Sequence, residues 1–320
     1  MHAQDRNHVL SDGVETALSR SQPWNAPAVL LPAPPKTASQ TLTALISGLM
    51  PSGIDRPAME GGHHQGLRIE PVRRLERWRF RSGLQQPPAA ALIYGHYLAT
   101  PLNLKRVARR YSPEVCCIPV RPLGELICSL ISHCERGHGP VDPKLLNWTE
   151  GLVHYQDLNL SDRFELLSSR YLPLIQSLID GWIHTAAVLG IPCLLVPFSS
   201  VTRRQQKLAQ EIAPTLASTL SIPVALPSQS ERVSRNRTTI PRVQLNDINP
   251  DALHRVERLA SLLFCSDASP LEVLHHYLLQ DLRSQSEGLE TPLLWRFSEG
   301  RCDPLPRTDG SPVAVQGFAR

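Results

Sequence analysis

Short apolar runs alternate with helix-like segments along most of the chain. The runs lie at residues 26–31, 89–94, 115–120 and 192–196, and proline, glycine or polar residues bound each of them. They are too short for buried helices and are typical of strands buried on both faces of a parallel sheet. The pattern therefore predicts four strands at these positions.

Amphipathic segments follow these strands. Leu42, Leu45, Ile46 and Leu49 recur at the i, i+3, i+4 and i+7 spacing, which places them on one face of a helix over residues 41–49. The same reasoning predicts further helices at residues 101–110, 122–134, 172–189, 252–263 and 271–282. Strands that alternate with helices predict an α/β fold with a doubly wound sheet, whose ligands bind beyond the carboxyl ends of the strands.

The regular pattern covers one domain, residues 26–283. Residues 1–25 are polar and of mixed charge, without the apolar core of a signal peptide, and we interpret them as a flexible N-terminal segment. Residues 284–320 are polar and rich in turn-forming residues, which predicts a loosely packed C-terminal tail. The pattern leaves the fold of residues 51–88 open.

Composition narrows the class of protein. A chain of 320 residues with 42% hydrophobic residues can bury a full core, and a net charge of +4 is too small to indicate nucleic acid. Seven cysteines without a C-x-x-C pair favour buried thiols over disulfides or structural zinc. No run approaches the roughly 20 apolar residues that span a bilayer. We expect a soluble cytoplasmic protein of undetermined oligomeric state.

The loop at residues 34–41 joins the first strand to the first helix. Backbone N–H groups at a helix start can bind a phosphate, and Lys36 adds a positive charge. The hydroxyls of Thr37, Ser39 and Thr41 could supply further donors. The alternative is a capped helix, with Ser39 or Thr41 as the N-cap and Lys36 in solvent. The missing G-x-x-x-x-G-K-[ST] spacing argues against an ATP or GTP phosphohydrolase.

Two further strand ends carry candidate residues. Arg121 follows the third strand, and a helix that starts at Pro122 would bring Ser129 back toward it two turns on, so that both could contact one phosphate. The alternative is an arginine at a helix start with a small serine packed inside. His96 follows the second strand, and an imidazole that titrates near pH 6.5 suits a general base. A structural histidine is equally compatible with this position.

The segment at residues 35–41 reads Pro-Lys-Thr-Ala-Ser-Gln-Thr and resembles the 5′-phosphosulfate loop of the sulfotransferases that use 3′-phosphoadenosine-5′-phosphosulfate (PAPS). Ala38 replaces the usual glycine and Gln40 a usual hydroxyl residue. The resemblance implies a catalytic role for Lys36 and a donor site that comprises Lys36, Thr37, Ala38, Ser39, Gln40 and Thr41.

Two more segments resemble the same family. Arg121 and Ser129 keep the eight-residue interval of its 3′-phosphate motif, in which a proline follows the arginine. The resemblance therefore implies that both residues bind the 3′-phosphate of the donor. His96 stands past a strand and ahead of a proline-started helix, where many members carry the base that deprotonates the acceptor.

Two segments match the family less well. Arg235 and Arg237 lie where members often have an Arg-Lys-Gly loop that closes over the 3′-phosphate, and both are candidate donor ligands. A solvated basic loop is the alternative for them. Residues 197–200 read Pro-Phe-Ser-Ser where many members carry Arg-Tyr-Glu, which leaves an inactive member open.

The resemblance implies a three-layer, P-loop-like fold and transfer of a sulfuryl group from PAPS to a hydroxyl or amine acceptor. It implies no metal, and the pairs His63-His64 and His275-His276 lack carboxylate or cysteine partners at ligand spacing. The alternatives are a catalytically inactive nucleotide-binding or partner-binding protein of this fold and a P-loop-like small-molecule kinase. The acceptor stays open, because such pockets are built from variable loops.

Overall fold

The alternation of strands and helices is present in the computed structural model, which describes residues 26–50, 90–108, 111–135, 155–221, 243–264, 272–283, 295–298 and 301–304. The strands are β1 (Ala26–Pro32), β2 (Ala91–Gly95), β3 (Tyr111–Val120), β4 (Cys193–Pro197), β5 (Trp295–Ser298) and β6 (Arg301–Pro304). The α-helices are α1 (Ser39–Leu49), α2 (Pro101–Ala108), α3 (Leu123–Cys134), α4 (Leu160–Val188), α5 (Phe198–Arg203), α6 (Gln205–Leu220), α7 (Pro250–Phe264) and α8 (Glu272–Leu279). Short 3-10 helices lie at Tyr155–Asp157 and Leu245–Asp247.

The described strands form one sheet in the order β2-β1-β3-β4-β5-β6. The first four strands pair in parallel, whereas β5 and β6 pair antiparallel. This arrangement confirms the predicted α/β class and the mostly parallel sheet. The chain runs from β1 outward to β2 and then crosses to β3 on the other side of β1. The switch point of the sheet therefore lies between β1 and β3, where α/β folds bind ligands beyond the carboxyl ends of the strands.

Helices cover both faces of the sheet. Along β1, Ala28 and Leu30 belong to one hydrophobic cluster and Val29 and Leu31 to the other, since side chains alternate along a strand. The first cluster includes residues of α3, α4 and α7, and the second includes residues of α1 and α6. Because both faces of β1 are fully buried, the strand reads as a continuous apolar run, as predicted.

The longest described helix, α4, fixes the loop that follows β2. It begins at Leu160, where the Asn159 side chain accepts the N–H of Asp162, and thus starts well before the predicted residue 172. The indole Nε1–H of Trp182 donates to the Tyr97 carbonyl at 2.8 Å, and the two rings pack edge to face with centroids 5.2 Å apart.

The antiparallel strands β5 and β6 lie within residues 284–320, for which the sequence predicts a loosely packed tail. Both four-residue strands instead extend the sheet beyond β4. Trp295 and Phe297 are buried while Arg296 between them is exposed, which is the alternation of a half-buried strand. The pattern spans too few residues to stand out from a polar segment.

The structure bears on two features of the chain, the state of its cysteines and the length of its apolar helices. The described free thiols are Cys116, Cys117, Cys128, Cys134 and Cys193, and all of them except Cys134 are buried. None of the described helices combines the length and the apolar character that crossing a bilayer requires.

Leu30→Ala is expected to lower the free energy of unfolding by about 2–5 kcal/mol, because Leu30 is fully buried in β1 and its truncation leaves a cavity. Leu262→Ala removes the same atoms from a side chain that is 83% exposed, and we expect a change within about 0.5 kcal/mol. Urea unfolding of both variants checks this prediction, and similar losses in the two would contradict the assignment of β1 to the core.

Candidate functional site

The loop after β1 is held in an unusual backbone conformation. Lys36 and Ala38 both have left-handed φ values, 64° and 61°, each of which costs about 1 kcal/mol or more in a residue other than glycine. The Thr37 hydroxyl between them is fully buried and donates to the Pro34 carbonyl at 2.6 Å. That contact uses the single hydroxyl proton inside the loop, so the Thr37 side chain stabilises the loop rather than serving as an outward-facing donor.

Helix α1 starts without the side-chain cap that the sequence offered as an alternative. Ala38, not Ser39 or Thr41, is the N-cap residue, and its carbonyl accepts the N–H of Leu42 at 3.0 Å. The first-turn N–H groups of an α-helix have no intrahelical partner and attract anions. In α1 they follow the carboxyl end of β1, which lies between β2 and β3, with Gln40 exposed at the surface.

Arg121, at the end of β3, contacts segments that follow two other strands. Its Nη1–H donates to the Lys36 carbonyl at 3.1 Å, and its guanidinium lies 4.0 Å from the centroid of the Phe198 ring, directly after β4. Its Nε and Nη2 atoms both lie 3.3 Å from Oε2 of Glu125. With 11% of the side chain exposed, Arg121 is fixed on several sides at the switch point of the sheet.

The structure thus brings the first two predicted motifs together. The loop of Lys36 and the guanidinium of Arg121 are in direct contact although 85 residues separate them in sequence. Burial raises the pKa of the Cys134 thiol, at the end of α3, to about 11, while the charge of Lys36 lowers it. Ser129 lies in the second turn of α3 and is partly buried.

The His96 side chain is hydrogen-bonded to the backbone just before the loop of Lys36. Its Nδ1 lies 2.6 Å from the Ala33 carbonyl, which can only accept, so Nδ1 carries the proton. In the neutral imidazole, Nε2 is then the basic nitrogen, as a general base requires. The Ala33 N–H donates to the Gly95 carbonyl at 2.9 Å and joins the two strand ends. The half-buried imidazole therefore has a defined tautomer and orientation at the carboxyl end of β2.

The start of helix α3 is capped by a carboxylate from far along the chain. Asp281 accepts the N–H of Gly124 at 3.1 Å and that of Glu125 at 2.6 Å. A side chain at Gly124 would come within 2.8 Å of a Leu245 methyl and 3.0 Å of a Leu282 methyl, so a glycine permits this close approach. Burial raises the pKa of Asp281 to about 7.

Sequence reasoning missed three residues at this site. Phe198 stacks on Arg121, and Asp281 caps α3. Tyr277 packs edge to face on Trp295, with its hydroxyl 3.5 Å from the Val120 carbonyl. None lies in a recognisable motif. The signals for Phe198 were its place shortly after the predicted fourth strand and within residues 197–200, where the resembled family carries Arg-Tyr-Glu.

Some predictions lie outside the described residues. Arg235 and Arg237 are among them, as are residues 1–25 and 51–88. Within the part of the chain that the structure describes, no group of three or more histidine, cysteine, aspartate or glutamate side chains is arranged to hold a metal ion.

Comparisons of the chain with protein-family models, with curated proteins and with solved structures gave no match.

The raised pKa of Asp281 predicts a pH-dependent stability. Because the folded chain binds this proton more tightly than an unfolded chain with an ordinary pKa of 3.8, the contribution is present at low pH and is lost as pH rises through about 7. The free energy of unfolding should therefore fall between about pH 5 and about pH 8, and fall less in Asp281→Asn.

Urea unfolding at the two pH values measures this difference. Burial also raises the pKa of Asp180 to about 7, so Asp180→Asn is a matched comparison. This variant should remove the part of the pH dependence that Asp180 contributes and leave the part that Asp281 contributes. An unchanged pH dependence in Asp281→Asn would show that this carboxyl titrates normally.

Proposed function

We propose that this protein transfers a sulfuryl group from PAPS to a hydroxyl or amine acceptor. The observation that carries the proposal is the hydrogen bond between the Arg121 guanidinium and the Lys36 carbonyl, at the switch point between β1 and β3. It joins the two segments that resemble the 5′-phosphosulfate and 3′-phosphate motifs. A donor with phosphates on both sides of its ribose needs two such anion-binding groups close together.

The loop of Lys36 suits the 5′ side of the donor. The start of α1 has no side-chain cap from Ala38 and offers backbone N–H groups to a phosphate, to which the nearby Lys36 would add a positive charge. Ala38 reaches a left-handed φ of 61° in the place where the family has glycine, so the substitution does not exclude the loop conformation. The backbone N–H groups of Thr37 to Thr41 would hold the phosphate, and Lys36 would neutralise the bridging oxygen.

Arg121 and Ser129 suit the 3′ side. A guanidinium presents a planar fork of donors that matches phosphate, and the serine hydroxyl on α3 adds one more donor. Arg235 and Arg237 keep their proposed role as ligands of the same phosphate. This pair of phosphate positions, within a P-loop-like fold, would distinguish the donor from AMP and ADP.

The transfer itself is an in-line displacement at sulfur. The acceptor oxygen or nitrogen forms a bond to sulfur while the bond from sulfur to the 5′-phosphate oxygen breaks, and the acceptor proton passes to Nε2 of His96. The chain contributes position and charge stabilisation, and Lys36 counters the charge that develops on the leaving phosphate. No metal is needed in this scheme.

A second candidate is a nucleotide-binding protein without turnover. Arg121 lies against Glu125, and Asp281 occupies N–H groups at the start of α3, so the chain's own carboxylates fill part of the anion site. Residues 197–200 also lack the Arg-Tyr-Glu run. Nucleotide binding without transfer to any acceptor would favour this candidate. A small-molecule kinase is the third candidate, and Mg²⁺-dependent phosphoryl transfer would identify it.

We also propose that the protein works in the cytoplasm on a nucleotide donor and a still unidentified acceptor. The free, buried thiols of Cys116, Cys117 and Cys193 support a reducing compartment.

Arg121→Lys should weaken binding of 3′-phosphoadenosine-5′-phosphate by about ten-fold or more, because lysine keeps the charge but loses the fork. Binding of 5′-AMP, which lacks the 3′-phosphate, should change little. Calorimetric titration of both nucleotides measures the two effects. Arg255→Lys is the control, since Arg255 forms an exposed ion pair with Glu165 on α4. Equal affinity for the two nucleotides in the unaltered protein would contradict the proposal.

His96→Asn should lower the turnover rate by about a hundred-fold or more while the affinity for 3′-phosphoadenosine-5′-phosphate stays within about two-fold. Asparagine can still donate to the Ala33 carbonyl but has no basic nitrogen. Transfer of radiolabelled sulfate from PAPS to a panel of hydroxyl and amine acceptors measures the rate. An unchanged rate would exclude His96 as the base.

A further inference from the structure

The donor edge of Arg121 that suits a phosphate faces a glutamate. Nε and Nη2 lie side by side on the guanidinium, and this edge binds oxyanions through two parallel hydrogen bonds. In this chain both atoms lie 3.3 Å from Oε2 of Glu125, which is four residues further along. A carboxylate oxygen therefore stands where a phosphate oxygen would bind.

Two other contacts of Arg121 do not depend on Glu125. The Lys36 carbonyl holds Nη1, and the Phe198 ring supports the plane of the guanidinium. Arg121 can therefore keep its place when the carboxylate leaves. Because 49% of the Glu125 side chain is exposed, the carboxylate can turn into water without a change of fold.

The neighbouring carboxylate behaves differently. Asp281 accepts two backbone N–H groups in the first turn of α3 and packs closely on Gly124, so it is built into the fold. Burial raises the pKa of the Cys128 thiol, the charges of Asp281, Asp247 and Glu125 raise it further, and the charge of Arg121 lowers it.

We propose that Glu125 is an internal competitor of phosphate at Arg121 and determines how strongly the site prefers nucleotides that carry a 3′-phosphate. The identity of the nucleotide rests on the proposed function, whereas the competition for the guanidinium does not. A phosphate that binds Arg121 displaces the Glu125 carboxylate into solvent. Removal of the negative charge at residue 125 therefore strengthens phosphate binding.

Inorganic phosphate tests the competition without any assumption about the nucleotide. The probe is the ¹H–¹⁵N signal of the Arg121 side chain during phosphate titration at constant ionic strength, since exposed charges are screened by salt. Glu125→Gln keeps the size of the side chain and removes its charge. We expect the half-saturating phosphate concentration to fall by about five-fold or more in this variant.

Two controls separate competition from a general change of charge. Glu165→Gln removes the same charge from the exposed pair with Arg255 and should leave the titration unchanged. Arg121→Ala combined with Glu125→Gln should abolish the gain, with phosphate binding then followed through the thermal unfolding midpoint. Unchanged or weaker phosphate binding in Glu125→Gln would overturn the proposal and show that the glutamate only orients the arginine.

Titrations with nucleotides separate the competition at Arg121 from the proposed use of PAPS as the donor. If both hold, Glu125→Gln binds 3′-phosphoadenosine-5′-phosphate several-fold more tightly, while its affinity for 5′-AMP stays the same. Tighter phosphate binding without binding of either nucleotide supports the competition and refutes PAPS as the donor. Equal gains for both nucleotides overturn the assignment of Glu125 as a selectivity residue for the 3′-phosphate.

Discussion

The guanidinium of Arg121 is the interaction on which the candidate site depends. It belongs to the end of β3, donates to the Lys36 carbonyl beyond β1 and stacks on Phe198 beyond β4. Three neighbouring strands are thus tied together at their carboxyl ends by one side chain. Because a buried guanidinium needs hydrogen-bond acceptors, the same contacts that satisfy it also fix the shape of the site.

The surrounding loops maintain this geometry at some cost. The left-handed backbone at Lys36 and Ala38 persists because the buried Thr37 hydroxyl, the Ala33 N–H and the His96 ring each bond to a neighbouring carbonyl. Strain that is held in place by several independent contacts is typical of functional loops. A phosphate at the start of α1 would find its N–H groups already oriented, which reduces the entropy lost on binding.

Much of the parallel sheet was predictable, and its edge was not. β1 and β4 are buried on both faces and stand out as apolar runs, whereas β5 alternates over only four residues with exposed Arg296 at its centre. The first half of α4 was missed because Pro173 interrupts the pattern, although the helix continues through it. Helix α6 was missed too, with Pro214 inside it.

Local periodicity and the residues next to strand ends are enough to predict the α/β class, the four parallel strands and the loops of Lys36, His96 and Arg121. The folded chain alone shows that Arg121 donates to the Lys36 carbonyl across 85 residues and that Asp281 caps α3 across 157 residues. A hydrogen bond between distant segments depends on strand order and packing, which leave no local pattern in the chain.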